Sequence, residues 1–116
     1  MLFAFICLDK PDSEGIRSRL RPTHIEYMLR ILDRTAFGGP LQDNDGQTSR
    51  GSIFAAEFAS RAEAEAFIAN EPYNRGGLFE SVSVRRWKQM APEPKEGFLL
   101  AELERERRKQ GLAAEA

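Results

Sequence analysis

"SIFAAEFASRAEAEAFIANEPYNRGGLFESVSVRRW", residues 52–87, is the stretch whose reading decides the fold. Ser52 to Phe58 is short, apolar and bounded by polar turn residues, which predicts a strand. Ser60 followed by Glu63 is a capping box, in which each side chain satisfies a backbone N–H at a helix start. A helix follows through Phe67 and Ile68, and Asn70 with the Glu71–Pro72 pair ends it. After two glycines, Phe79, Ser81, Ser83 and Arg85 alternate with Glu80, Val82, Val84 and Arg86 up to Trp87, which reads as another strand.

The segments before residue 52 supply the other half. "MLFAFICL" is apolar and closed at once by the turn chemistry of "DKPDSEG". It lacks a basic leader and falls far short of the roughly 20 residues of a membrane span, so it reads as a buried strand. Ile16, Leu20, Met28, Ile31 and Leu32 then recur with helical spacing, and "FGGP" from Phe37 to Pro40 ends the pattern. Because proline suits the first helical turn and pushes Arg21 out of the α region, the main helix is expected to start at Pro22 after a looser turn; a single kinked helix is the alternative. "GGPLQ" predicts a short strand and "DNDGQTSRG" a polar hairpin loop. The order is βαββαβ, an α+β ferredoxin-like sandwich with both helices on one face of an antiparallel sheet. The other face needs a cover, and a second copy of the chain supplies one, which predicts a homodimer packed sheet on sheet.

The totals agree with a single domain. A chain of 116 residues buries about two-thirds of its unfolded surface around one core. With 41% hydrophobic and 30% charged residues and a net charge of -1, it carries no broad field for nucleic acid or an anionic membrane. The single cysteine, Cys7, excludes an internal disulfide, and a reducing cytoplasm is the default compartment. Residues 1–91 form the expected domain. From Pro92 the composition changes to interleaved charge, six acidic and five basic residues with a short apolar stripe of Phe98, Leu99 and Leu103. Residues 92–116 are either an appended helix lying on the domain or its mate, or a disordered tail.

Few side chains can carry chemistry. His24, the only histidine, lies four residues from both Leu20 and Met28, on the inward helix face. It is either a satisfied core residue or a base, and in a helix starting at Pro22 it would sit in the first turn, where the dipole favours the neutral ring. Glu71 is either a solvated carboxylate at a helix end or the acceptor that fixes which ring nitrogen faces a substrate. Tyr73 closes a pocket or packs an edge. Arg21 binds an anionic ligand group or a surface carboxylate. Gly39 and Pro40 permit close backbone approach, as any helix-to-strand turn requires. One histidine and one cysteine offer no metal-ligand pair, and no phosphate loop, dinucleotide fingerprint or nucleophile elbow is present, so neither metal nor cofactor is expected.

Together, "LRPTHIEYM", "GGPLQ", "SIFAAEF" with "SRAEAEAFI", "NEPYNRGGLFESVSV" and "RRW" resemble the YciI-like family of small proteins over about residues 1 to 90. The resemblance implies a ferredoxin-like fold that dimerises as an α+β barrel, with a pocket holding a His–carboxylate dyad. By motif the dyad falls on His24 and Glu71, with Arg21, Gly39, Pro40, Ser52 and Tyr73 as pocket neighbours. The family usually places aspartate before the Pro-Tyr pair, so Glu71 is one methylene longer. By analogy the resemblance implies proton-transfer chemistry, of lyase or isomerase type, on a small anionic or hydroxyaromatic molecule. The alternative is a non-catalytic metabolite-binding or accessory dimer.

Overall fold

The computed structural model describes residues 1–115, without the side chains of residues 112–115; the last residue of the expected 92–116 segment lies outside the described residues. Four strands form one antiparallel sheet: β1 (Leu2–Asp9), β2 (Thr35–Gln42), β3 (Ser49–Glu57) and β4 (Phe79–Arg86), in the order β2-β3-β1-β4. With α1 (Glu14–Leu29) and α2 (Arg61–Ala69) as the two crossovers, this is the expected ferredoxin-like α+β arrangement. The apolar N-terminal stretch is central because it must be covered on both edges as well as on its face. β1 pairs with β3 from Leu2 opposite Glu57 to Leu8 opposite Gly51, and with β4 from Phe3 opposite Arg86.

Strand alternation places Phe3, Phe5 and Cys7 on one face, with Ala56, Phe54 and Ser52 opposite them on β3. That face carries the core. Phe5 is fully buried, stacks on Phe54 at 4.5 Å and meets Phe58 and Phe67 edge-on at 5.7 and 6.3 Å. Aromatic pairs in these arrangements add about 0.5–1.5 kcal/mol beyond area burial. The outer face is uneven. Phe37 of β2 touches Trp87, just past β4, at 5.1 Å, so this contact spans the sheet from edge to edge. Ile6 and Leu8 remain 37% and 44% exposed.

Of the two crossover helices, one begins as the sequence predicts and the other does not. In α2 the Ser60 hydroxyl accepts from Glu63 N at 3.1 Å, and the Glu63 carboxylate accepts from Ala59 N at 3.2 Å, one residue earlier than the ideal box. α1, by contrast, starts at Glu14, eight residues before Pro22, which lies inside it. The single-helix alternative holds and the Pro22 start does not. Ile16 and Leu20 pack on the core before the proline and Met28 packs on it afterwards. Apolar contacts on both sides hold the helix through a residue that costs about 3 kcal/mol in isolation. His24 is therefore about three turns from the helix start, and the dipole argument for a neutral ring does not apply.

One further element differs, and one follows the helical alternative for its segment. Residues 72–75, expected as turn, form a short helix, α3 (Pro72–Arg75). The C-terminal segment forms α4 (Phe98–Glu115). Leu99, Leu100 and Leu103 on α4 are 39%, 60% and 43% exposed, so it stands off its own domain rather than lying on it. The radius of gyration is accordingly 18.0 Å, against about 13 Å for a compact chain of this length.

Candidate active-site cleft

Glu71 holds the centre of the site through its backbone position. It is the N-cap of α3 in extended conformation, φ -65° and ψ 133°, with Pro72 supplying the preset first helical turn. One carboxylate oxygen accepts from Tyr73 N at 3.1 Å and Asn74 N at 3.3 Å. The other lies 2.5 Å from His24 Nδ1. The extra methylene of glutamate is thus absorbed: the cap draws the carboxylate back onto its own helix, and the imidazole still reaches it. Glu71 is 1% exposed, so the solvated-carboxylate reading is excluded.

A carboxylate only accepts, so the proton of this bond resides on Nδ1 and Nε2 is left as the ring's second nitrogen. Among the described residues, Nε2 has no protein hydrogen-bond partner. The imidazole lies against the Tyr73 ring, with centroids 4.0 Å apart and planes 16° apart. Tyr73, buried to 1% exposure, meets the Arg17 guanidinium at 4.7 Å. Burial pushes the Tyr73 phenol above its ordinary value, and the Arg17 charge opposes that push.

Arg17 and Asp9 are the residues the sequence reading missed. The guanidinium donates to both Asp9 oxygens, at 2.8 and 3.0 Å, and to the Ser52 hydroxyl at 3.3 Å. Burial works against its charge, but Asp9 outweighs burial and holds the Arg17 pKa above its usual value. A signal was present: Arg17 lies four residues before Arg21 and seven before His24, on the same helix face. Asp9 gave none, because its place in "DKPDSEG" is what any turn would show. Cys7 is packed behind this group, and burial, followed by the charges of Glu71 and Asp9, pushes its thiol up to about 12.

These side chains end a cleft of about 1020 Å³ between α1 and the β2–β3 hairpin. Arg21, His24, Pro40, Ser52 and Tyr73 line it, together with the backbone of Gly39; Glu71 lies behind His24. Gly39 pairs with Ile53, on the outer sheet face, so a side chain there would point away from the cleft. The close approach belongs to Gly38, where a Cβ would come within 2.9 Å of Phe54 Cβ. Phe54, Ile25 and Met28 supply apolar wall. Arg21 makes no hydrogen bond or ion pair with a described residue, so its charge is available to the cleft. Among the described residues, no helix is long and apolar enough to cross a membrane.

The sequence model of the YCII-related domain matches residues 1–88. Protein YciI of Escherichia coli O6:H1 and that of Shigella flexneri are each 33% identical over 97 residues, covering 78% of this chain and 99% of theirs. Among solved structures, 5-chloro-2-hydroxyhydroquinone dehydrochlorinase (TftG) from Burkholderia phenoliruptrix AC1100, in complex with 2,5-dihydroxybenzoquinone, superposes with a TM-score of 0.73. It is 29% identical, and the match covers 80% of this chain and 99% of that one. An antibiotic biosynthesis monooxygenase fold from Bacteroides thetaiotaomicron matches at TM-score 0.51 and 13% identity, which is a likeness of fold alone. The segment matched by the family ends at residue 88, before α4. The chain belongs to the YCII-related domain family.

Proposed function

We propose that this protein is a small-molecule enzyme in which His24 transfers a proton and Glu71 orients the ring. The observation that carries this reading is the division of one buried carboxylate between the α3 backbone and His24 Nδ1, which leaves Nε2 as the working nitrogen. In this reading Nε2 takes a proton from a hydroxyl or an activated C–H of the substrate. The electron pair moves into the substrate and departs with a leaving group or returns as a rearranged double bond, and His24 then gives the proton up. Arg21 holds the anionic group, and Gly39, Pro40, Ser52 and Tyr73 shape the pocket. Apolar walls beside one available cation suit a small hydroxylated aromatic or its quinone, and likeness to a dehydrochlorinase points the same way.

The same reading makes the protein a homodimer closed over the outer sheet face, as the exposed Ile6 and Leu8 favour. Sedimentation at micromolar concentration is expected to show a dimer, and a folded monomer there would remove this part of the proposal.

The test of the site uses 2,5-dihydroxybenzoquinone as binding probe and 5-chloro-2-hydroxyhydroquinone as substrate. The wild type is expected to bind the first and release chloride from the second. His24→Gln should retain binding while turnover falls on the order of 10²–10⁴-fold, the usual contribution of a general acid or base. Binding without turnover in the wild type would favour a metabolite-binding module. Loss of the fold in His24→Gln would make the histidine structural.

A further inference from the structure

Arg17 has no charge to spare for a ligand. Its guanidinium is committed to both oxygens of an Asp9 carboxylate that is 4% exposed, and it is itself 12% exposed. It nevertheless lies over the face of Tyr73 at 4.7 Å, and Tyr73 stacks on His24 at 4.0 Å. Arg17 and His24 are seven residues apart on α1, a rise of about 10 Å. That spacing suits one aromatic ring held between the two side chains. Tyr73 enters from α3, next to the carboxylate that bonds His24.

We propose that Arg17 is a positioning residue: fixed by Asp9 and Ser52, it clamps the Tyr73 ring and thereby sets the plane of the His24 imidazole against Glu71. The inference deepens the proton-transfer reading and rests on it for its role in catalysis. It depends on the shape of the guanidinium as well as its charge. A planar fork can lie flat on a ring while making two parallel bonds to a carboxylate, and an ammonium group cannot do both. Lysine at position 17 keeps the pairing with Asp9 in charge but loses the clamp.

His24 is the only histidine in the chain, so in the full-length protein labelled with nitrogen-15 its ring nitrogens and protons give one set of signals. In the wild type, the ring protons should be displaced upfield by the stacked tyrosine, and the nitrogens should show a single tautomer protonated at Nδ1. In Arg17→Lys, most of that displacement should be lost and the nitrogen shifts should move toward a mixture of tautomers. Amide signals distant from Tyr73 should keep their wild-type positions. Arg17→Met is expected to do the same, and if it fails to fold the lysine variant decides. Wild-type imidazole signals in a folded Arg17→Lys protein would overturn the proposal, because a merely structural arginine lowers stability without moving them. The functional reading fails separately, on probe binding and turnover: a His24 signature that depends on Arg17 in a protein that turns nothing over leaves the clamp standing as part of a binding site.

Discussion

Glu71→Ala is expected to lower the unfolding free energy by about 3–5 kcal/mol, the cost of removing one partner of a buried pair. The size follows from what one side chain holds. Tyr73 N and Asn74 N lose their acceptor at the start of α3, and His24 Nδ1 loses its own. Each buried polar group left without a partner costs about 1–3 kcal/mol. A domain of this kind is stable by about 5–15 kcal/mol in all, so the variant should unfold at much lower denaturant with an unchanged slope. Glu71→Gln keeps the shape and one acceptor, and its loss should be about 1–2 kcal/mol. The amide cannot accept on both sides, however. If its oxygen caps α3, its NH₂ faces the imidazole and favours the opposite tautomer. The glutamine protein should therefore be folded, bind the quinone probe and turn over little. A loss below about 1 kcal/mol in Glu71→Ala would mean that the cap and the imidazole are satisfied without the carboxylate.

Alkaline pH should destabilise the protein through Cys7. The thiol is fully buried, and its pKa is raised from 9.0 to about 12, first by burial and then by the Glu71 and Asp9 carboxylates. Below pH 9 both folded and unfolded chains keep the thiol proton, and the group adds no pH dependence. Between pH 9 and about 12 the unfolded chain releases it and the folded chain retains it, so stability falls as pH rises. The slope reaches about 1.4 kcal/mol per pH unit, and the loss over the window totals about 4 kcal/mol. Tyr73 and Tyr27, whose phenols burial also raises, add in the same direction. Guanidinium unfolding of the wild type and Cys7→Ala between pH 8 and 11 separates them. The alanine protein should start less stable and decline less steeply. Parallel declines would show that the thiol ionises without cost and that the tyrosines carry the effect.

Most of the fold was legible in the sequence for local reasons, whereas the pairing of His24 with Glu71 at the candidate site came from the family resemblance alone. A capping box, strand alternation and a histidine at four-residue spacing from apolar neighbours are patterns that backbone geometry imposes within a few residues. The start of α1 was misread because proline statistics describe a helix without tertiary contacts, and here Ile16, Leu20 and Met28 override them. α3 was misread because Glu71–Pro72 both ends one helix and begins the next, and only the side-chain bonds of Glu71 distinguish the two. Arg17 and Asp9 escaped because their meaning is mutual. Each is an ordinary surface residue type until β1 and α1 bring them together at 2.8 Å.

The central place of β1 also governs how the chain is made. Its most apolar stretch is synthesised before both strands that flank it, which lie far downstream, Ser49–Glu57 on one side and Phe79–Arg86 on the other. At about 5–20 residues per second, the ribosome takes on the order of several seconds to deliver the second of them. Until Ser49–Glu57 has emerged "LFAFIC" has no native edge to pair with, and until Phe79–Arg86 follows one of its edges stays open, so this is a segment of the nascent chain that gains from a chaperone's cover.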